Sequence, residues 1–163
     1  MTAVSSLPVL EAGLFQRIFR RHAAGVAVIT ASGHTPVGFT ATSLVSLAAT
    51  PPLVSFNISR GASSWPTLES AEHVAIHLLA RDQHDVARAF ATSGIDRFAA
   101  VRSWRAGPYE LPILDGVLAW MAARVRTKVP AGDHAVVIAE VMHAACRDAA
   151  PLVYQDGRYT GIT

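Results

Sequence analysis

The chain has 163 residues, of which 51% are hydrophobic and 16% charged, and its formal net charge is +2. This length fits a single domain with one sizeable core. The arginines are scattered and form no basic arm or aromatic-plus-basic stripe, which excludes nucleic acid as an expected partner. The single cysteine, Cys146, excludes an internal disulfide and an all-cysteine metal site.

The chain is more apolar than a typical monomeric domain, and we expect the surplus to be buried between the subunits of a homodimer. The N-terminus lacks the basic segment and apolar run of a secretory signal, and no apolar run reaches membrane-spanning length. Together with the single cysteine, these features predict a cytoplasmic protein that does not enter a membrane.

Residues 1–10 are expected to form a flexible lead-in, and residues 11–163 a single domain. Between Glu11 and His22, apolar residues recur at helical spacing with arginines on the opposite side, which predicts a helix. A first strand follows over residues 25–32. The turn-forming cluster at residues 33–36 folds this strand back as a hairpin onto the next one.

The stretch from Val37 to Ser59 has the composition of two neighbouring strands, with a turn at Pro51-Pro52. In the second strand apolar residues alternate with small polar ones, which is typical of a half-buried strand. The residues predicted to face the core are Val54, Phe56 and Ile58. The residues predicted on the opposite face are Ser55, Asn57 and Ser59.

Hydroxyl groups are unusually frequent in the first of these two strands. The residues that carry them are Thr40, Thr42, Ser43 and Ser46. Together with the polar face of the second strand they suit a planar, polar ligand. The pattern fits equally well with hydroxyls that are exposed to solvent on an antiparallel sheet.

A short helix is predicted after Ser59, with Ser63 or Ser64 as its cap and Pro66 in its first turn. The free N–H groups and the dipole at such a helix start favour binding of a phosphate. From the residues alone, serines that only cap the helix are the other interpretation.

The segment from His73 to Leu79 predicts a strand with His73 and His77 on the face opposite its apolar residues. Two histidines at this spacing could reach one metal ion, but no third ligand has a suitable spacing, and no metal site is predicted. Residues 82–92 predict a helix with Asp82 as its N-cap. The buried stripe of this helix is predicted to be Val86, Ala87 and Phe90.

The region from Arg97 to Pro112 is expected to be an irregular loop, which at this length is either functional or a cover. Residues 118–128 and 134–145 then predict two long paired strands, joined by a turn at residues 129–133.

Two local interactions are predicted in the C-terminal part of the chain. Glu140 is expected to pair with Arg124 or Arg126 across the sheet. Asp156-Gly157 is a strong hairpin-turn dipeptide, and it predicts a final pair of strands.

Several common catalytic motifs are absent from the sequence. There is no GxGxxG after a strand, no Walker loop, no Gly-x-Ser-x-Gly elbow and no HExxH pair. These absences disfavour the common hydrolases, phosphotransferases and Rossmann-type dehydrogenases. They do not disfavour flavin chemistry, because in that chemistry the cofactor performs the difficult step and the protein binds and orients the cofactor.

Three segments, in this order, resemble the signatures of one family. They are GFTATS with PPLV after it (residues 38–43 and 51–54), AGDHAVVIAEV (131–141) and PLVYQDGRY (151–159). The chain resembles the flavin reductase-like family, short NAD(P)H-dependent reductases with an FMN-binding split β-barrel. The resemblance extends over most of the chain and implies a mainly β fold with flanking helices.

The resemblance implies an NAD(P)H-dependent flavin reductase that transfers hydride from nicotinamide C4 to flavin N5. Its implied ligands are FMN or FAD and NADH or NADPH, with NADH favoured, and the family implies a homodimer. Reduced flavin would pass to a separate monooxygenase. Two alternatives stay open: an oxidoreductase with tightly bound FMN that acts on an organic substrate, and a non-catalytic flavin-binding protein.

Specific residues take their expected roles from the same resemblance. The isoalloxazine edge and the ribityl chain would contact Phe39, Thr40, Ala41, Thr42, Ser43 and Ser46. The ribityl end and the phosphate would lie near Asn57, Ser59, Arg60, Ser63 and Ser64. Three further residues expected near the flavin are Arg97, Phe98 and Tyr159. His134 is the implied catalytic residue, which would donate a hydrogen bond or stack, and His77 stands where relatives usually have asparagine.

Overall fold

A computed structural model describes residues 9–101 and 103–162, so most of the expected lead-in, residues 1–8, lies outside the described residues. The helices are α1 Ala12–Arg20, α2 Trp65–Ser70 and α3 His84–Ala91, with a 3₁₀ turn at Pro108–Glu110. The strands are β1 Ala24–Gly25, β2 Ala27–Ala31, β3 Val37–Ala41, β4 Val45–Ala49, β5 Pro52–Ser59, β6 His73–Leu78, β7 Trp104–Ala106, β8 Pro112–Leu114, β9 Ala119–Ala131, β10 His134–Cys146, β11 Leu152–Gln155 and β12 Arg158–Gly161.

Seven strands form the central antiparallel sheet in the order β3-β2-β6-β9-β10-β5-β4. The prediction of two strands between residues 37 and 59 is wrong, because this stretch forms three. β3 and β4 are the two edge strands of the sheet, and residues 42–44 carry the chain from one edge to the other. No ladder joins β3 to β4 among the described residues, so the sheet curls without closing, which fits a split barrel.

The main core lies inside this curled sheet. Val54, Phe56 and Ile58 of β5 are buried in it while Asn57 is exposed, which confirms the predicted alternation. Phe56 and Phe39 have ring centroids 6.2 Å apart, so side chains join β3 to β5 across the open edge. Ring pairs at such separations add specific packing to the burial of apolar area.

A second core forms where α3 packs on the sheet. Ala87 and Phe90 are buried there, as predicted, and Val86 is half-buried. The N-cap of α3 is Gln83 rather than the predicted Asp82. A tight turn explains the difference: the Gln83 N–H donates to the carbonyl of Ala80, and the Gln83 side chain accepts from the Ala80 N–H.

The region predicted as an irregular loop contains a hairpin of β7 and β8 and acts as a cover. Leu111 and Ile113 are buried against Ala75 of β6 and Ala122 of β9. This explains why both faces of β6 are buried although one of them carries histidines.

The long pair β9 and β10 extends further than predicted. Its turn is confined to Gly132-Asp133, where Gly132 has a φ of 60°, because Val129 and Pro130 continue the ladder. Glu140 binds Arg126, one of the two predicted partners. Asp156 and Gly157 have φ angles of 51° and 75°, which confirms the predicted tight turn between β11 and β12.

The predicted N-terminal helix is present as α1, but none of its residues is buried. Its C-terminal end is attached to the β11–β12 turn, since the Asp156 N–H donates to the carbonyl of Arg20. Within the described residues, no helix has the length and apolar character needed to cross a membrane.

His77 connects three strands from a fully buried position on β6. Its Nδ1 lies 2.9 Å from the carbonyl of Val28, and its Nε2 lies 3.1 Å from the amide N of Leu114. Because the carbonyl can only accept and the amide can only donate, the ring is the neutral tautomer protonated on Nδ1. Burial lowers the pKa of His77 from 6.5 to about 4.

This buried neutral histidine predicts a pH-dependent stability. Between about pH 6.5 and pH 4 the unfolded chain binds a proton at His77 that the folded chain excludes. The free energy of unfolding should therefore fall as the pH drops through this window, by up to about 3 kcal/mol. The variant His77→Asn cannot titrate, so its stability should depend less steeply on pH, as measured by urea unfolding at several pH values.

The exposed His34 offers a matched control, because His34→Asn should keep the pH dependence of the wild type. Equal pH dependence in His77→Asn and the wild type would contradict the assignment of a buried neutral imidazole.

Candidate functional site

A cavity of about 690 Å³ opens between β3, β5, the start of β10 and the segments that follow β5 and α3. We call it the main cavity. Its volume lies within the range of about 300–1,000 Å³ that is usual for small-molecule sites. Ten residues selected from the sequence line it: Phe39, Thr40, Ala41, Thr42, Ser43, Asn57, Ser59, Ser63, Arg97 and His134.

The register of β5 and β10 positions two sides of the main cavity. His134, the first residue of β10, lies directly opposite Ser59, the last residue of β5. Asn57 and Ser59 share one face of β5, while Phe56 and Ile58 point toward the core. Because side chains alternate along a strand, a slip of one residue would replace the polar wall by core residues.

The main cavity combines apolar and polar surfaces. The lining residues Phe39, Ile58 and Phe90 are also core residues and are at most 9% exposed. Around them stand hydroxyl groups, the Asn57 amide, the Arg97 guanidinium and the His134 imidazole. Apolar surface together with a few placed polar groups suits a planar organic ligand.

Two of the hydroxyls already accept hydrogen bonds from the backbone. Ser43 Oγ accepts from the Asn57 N–H at 2.9 Å, and Ser59 Oγ accepts from the Gly61 N–H at 3.2 Å. A hydroxyl has one donor and two acceptor sites, so these bonds leave both O–H donors for a ligand. Thr40 differs, because its hydroxyl donates to the carbonyl of Ala87 at 2.6 Å and ties β3 to α3.

Arg97 is held at the edge of the main cavity by two backbone carbonyls. Its Nη1 donates to Gly38 at 2.6 Å and its Nε donates to Thr92 at 2.9 Å. Partial burial lowers the pKa of Arg97 from its usual value, yet guanidinium stays protonated in proteins. The arrangement presents a fixed positive charge, which suits a phosphate or a carboxylate.

His134 is oriented by the residue before it. Its Nδ1 lies 2.6 Å from a carboxylate oxygen of Asp133, and this hydrogen bond holds the pKa of Asp133 below its usual value. Since an ionised carboxylate can only accept, Nδ1 carries the proton. The Asp133 carbonyl also accepts from the N–H of Arg60, and the Arg60 side chain donates to the carbonyl of Gly132.

Five residues selected from the sequence lie outside the lining of the main cavity. Ser64 and Phe98 line a neighbouring cavity. Ser46 lies on β4, and Arg60 braces the β9–β10 turn. Tyr159 packs against Tyr154 with ring centroids 5.2 Å apart, and burial raises its pKa. Contact of these residues with a ligand stays a prediction.

Ser64 occupies the N-cap position of α2, as one of the two predicted candidates, but its hydroxyl makes no capping bond. Instead it is buried and donates to the carbonyl of Gly38 at 3.2 Å. The described residues contain no group of three metal-binding side chains close enough to hold an ion.

Sequence reasoning missed part of the cavity wall. The missed residues are Ile58, Gly61, Ala62, Phe90, Ala91, Ser93 and Gly94. Ser93-Gly94 follows the C-cap of α3, Thr92, and this turn-forming pair is a signal that could have marked a loop beside the site. Phe90 and Ile58 carried only the signal of core residues, because they serve the core and the cavity at once.

Comparison with known proteins identifies the family. A family model described as a flavin reductase like domain matches residues 19–163. The chain belongs to the flavin reductase-like domain family. This confirms the family predicted from the three sequence motifs.

Individual relatives agree with this assignment. The NADH:FMN oxidoreductase of Rhodococcus qingshengii is 43% identical, with 96% of this chain and 86% of the relative covered. The reductase component of the 4-nitrophenol 4-monooxygenase/4-nitrocatechol 2-monooxygenase of Rhodococcus opacus is 33% identical, with 94% and 82% covered. The crystal structure of a flavin reductase domain protein from Arthrobacter sp. FB24 matches with a TM-score of 0.89 at 40% identity, covering 94% and 96% of the two chains.

The residues of this flavin reductase-like domain fit a flavin nucleotide. Phe39, which is 9% exposed, offers apolar contact for a planar ring system. The O–H donors of Ser43 and Ser59 remain for its polar groups. Arg97 carries a positive charge that would suit a phosphate, and its position is set by two carbonyls that are part of the fold.

The two carbonyl contacts of Arg97 predict a structural cost for its removal. Arg97→Ala should lower the free energy of unfolding by about 1–3 kcal/mol, because two backbone acceptors lose a charged donor. Arg97→Lys keeps the charge but not the planar two-point geometry, and it should recover only part of the loss. Urea unfolding measures both variants.

Arg88 on α3 serves as the control for this experiment. Its contact with Asp85 is exposed and 3.9 Å long, so Arg88→Ala should change the stability by less than about 0.5 kcal/mol. If Arg97→Ala unfolds at the same urea concentration as the wild type, the two hydrogen bonds of Arg97 to backbone carbonyls do not stabilise the domain.

Proposed function

We propose that the protein is an NADH-dependent flavin reductase that reduces FMN or FAD and releases it to a separate flavin-dependent monooxygenase. The observation that carries this proposal is the main cavity, whose lining combines apolar residues, hydroxyl donors, Arg97 and His134. It is supported by the relatives, which are named as an NADH:FMN oxidoreductase and as the reductase component of a monooxygenase. The proposal names the reaction, and it leaves the organic substrate of the monooxygenase open.

Bound flavin supplies the hydride acceptor, N5, so the protein needs no acid or base for the transfer from nicotinamide C4. The protein instead binds the flavin and the nicotinamide nucleotide and orients them for the transfer. In the proposal, Thr42, Ser43 and Ser59 contact the polar edge and the ribityl chain with hydroxyl groups. Their neighbour Phe39 provides apolar surface against which a ring can lie.

The flavin phosphate is assigned to Ser63 and Arg97. Ser63 is exposed and lines the main cavity together with Arg97. Ser64 takes a different part, because its hydroxyl already donates to Gly38 and its side chain is buried. The guanidinium of Arg97 therefore carries the charge recognition, and Ser63 adds a neutral donor.

His134 is assigned to the contact between flavin and nicotinamide. The hydrogen bond of Nδ1 to Asp133 sets the ring orientation. It leaves Nε2 as the second ring nitrogen, which can contact a ligand directly or through stacking of the ring. Its role is to position the two rings, since hydride transfer depends on their distance and alignment.

A homodimer is part of the proposal. Leu14, Phe15, Ile18 and Phe19 of α1 are 41–56% exposed. A nine-residue helix that buries nothing has little stability by itself. A second copy would cover this face and stabilise the helix. Sedimentation velocity tests the dimer, and a monomer at micromolar protein concentration would contradict it.

We also propose a cytoplasmic location. The single cysteine, Cys146, is exposed and the fold uses no disulfide between its own residues, as is usual in a reducing compartment. Cell fractionation tests the location, and recovery outside the cytoplasm would contradict it.

The reductase proposal predicts that NADH oxidation requires added flavin. The purified protein should be largely colourless after desalting and should oxidise NADH only when FMN, FAD or riboflavin is present. Absorbance of reduced nicotinamide measures the rate. A yellow protein with no dependence on added flavin would favour an oxidoreductase with tightly bound FMN, and flavin binding without turnover would favour a non-catalytic binding protein.

The phosphate assignment predicts a selective effect at Ser63. Ser63→Asp adds a negative charge beside the expected phosphate and should raise the Kd for FMN at least about tenfold. Riboflavin has no phosphate, so its Kd should change by less than about twofold. Fluorescence titration of each flavin measures both constants.

Two control variants separate charge from the loss of the serine. Ser63→Ala removes the hydroxyl without adding charge and should weaken FMN only slightly. Ser70→Asp adds the same charge on the exposed surface of α2, outside the main cavity, and should leave FMN binding unchanged. Equal weakening of FMN and riboflavin by Ser63→Asp would remove Ser63 from the phosphate site.

A further inference from the structure

A cavity of about 450 Å³ lies between the end of α2, the start of β6 and the middle of β9. We call it the basic cavity, because three cationic side chains of β9 line it: Arg124, Arg126 and Lys128. It shares no described residue with the lining of the main cavity. Its volume suits a small organic molecule.

Arg124 is the cation of the basic cavity that remains available for a ligand. In the sheet it lies opposite Glu140 of β10, but the carboxylate of Glu140 binds Arg126 instead. Arg124 is exposed, and no ion pair between described residues involves it. Its guanidinium can therefore direct a planar set of N–H donors at a ligand.

Lys128 adds a second available positive charge. Its Nζ donates to the carbonyl of Ala71 at 3.1 Å, and an ammonium group has two further donors. Glu72 is the one carboxylate among the described lining residues. With the pair of Arg126 and Glu140 included, three cationic groups stand against two carboxylates. The positive charge is in excess, so the basic cavity favours an anion.

His73 lines the same cavity and has an unsatisfied polar atom. Its Nε2 is buried and has no hydrogen-bond partner among the described residues. A buried polar atom without a partner is costly to the fold. An oxygen atom of a ligand that accepts a hydrogen bond from this nitrogen would remove that cost. In the sheet His73 lies directly opposite Arg124, so the two donors belong to neighbouring strands.

The ring of Tyr109 holds the His73 imidazole in place. The two rings are stacked, with centroids 3.8 Å apart and an angle of 12° between their planes. Tyr109 and Glu110 have φ angles of 56° and 57°, a conformation that is unfavourable for residues other than glycine. Such strain is concentrated at functional sites, where it contributes to preorganisation. The strained turn therefore fixes one wall of the basic cavity.

We propose that the basic cavity binds a small organic molecule through a phosphate or carboxylate group, which contacts Arg124, Lys128 and Nε2 of His73. Guanidinium and ammonium groups recognise both kinds of oxyanion, and a histidine N–H adds a neutral donor. The site is additional to the proposed flavin site, and its occupation does not depend on flavin reduction. The experiment distinguishes phosphate from carboxylate ligands.

The test titrates the wild type with inorganic phosphate and, separately, with citrate, and follows assigned amide signals by NMR. At least one of the two anions should shift the signals of Glu72, His73 and Arg124 in a saturable way. Signals of Ser63 and Arg97 report separately on any anion in the main cavity. Saturation by phosphate alone assigns the site to phosphate compounds, and saturation by citrate alone assigns it to carboxylates.

Four variants test the assigned contacts. Arg124→Ala should raise the Kd of the anion about tenfold, and Arg124→Lys should recover part of the loss because it keeps the charge. His73→Phe keeps a ring against Tyr109 but removes Nε2, and it should raise the Kd at least about threefold. Glu72→Gln removes the opposing charge, so it should lower the Kd.

Arg88→Ala is the matched control, because it removes an exposed arginine outside the basic cavity and should leave the Kd unchanged. The dispersion of the NMR spectrum shows whether each variant is folded. No saturable shift at the lining residues with either anion, or equal Kd values for Arg124→Ala and the wild type, would overturn the inference. The measurement involves no flavin, so its failure would leave the reductase proposal unaffected.

Discussion

The candidate site depends most on the register between β5 and β10. One strand, β5, gives alternate residues to the core and to the cavity wall, and its partner brings His134 opposite Ser59. The same ladder is extended by β9, so the histidine sits at a turn held between two long strands. A shift by one residue would exchange core and wall along the whole strand. The core packing that fixes the register of β5 therefore also fixes which of its residues line the main cavity.

A second constraint converges on the carbonyl of Gly38 in β3. Arg97 from the loop after α3 and Ser64 at the start of α2 both donate to this one oxygen. A Cβ on Gly38 would lie 2.7 Å from the ring of Phe90, so α3 approaches β3 as closely as glycine allows. The position of Arg97, and with it the boundary between the main cavity and the neighbouring cavity lined by Ser64 and Phe98, therefore depends on a close contact that only a glycine permits.

Much of the fold could be predicted because its signals are local. The alternation of β5, the apolar stripe of α3 and the Asp156-Gly157 turn each depend on neighbouring residues. The family and the fold class followed from three motifs in order, and the domain match confirms them. The pairing of Glu140 with an arginine of β9 was also predictable, since a charged residue on an otherwise apolar strand requires a partner, but the sequence left Arg124 and Arg126 open and the structure selects Arg126.

The remaining features depend on contacts between distant segments. Thr42 and Ser43 have residue types that are common in strands, but they lie in the connection between the two edge strands, β3 and β4. Ser64 is a residue type that commonly caps helices, but its hydroxyl donates to the carbonyl of Gly38 instead of bonding to α2. His77 has no local signal for a structural role, because its partners lie 49 and 37 residues away in sequence. Trp104 seemed part of an irregular loop, and only the folded hairpin places it in a cavity.

The central claim is that flavin binds in the main cavity, and a crystal structure of the complex with FMN tests it most directly. The account predicts a ring system against Phe39, a ribityl chain along Ser43 and Ser59, and a phosphate beside Ser63 and Arg97. FMN bound at another surface, with the main cavity filled only by solvent, would contradict it.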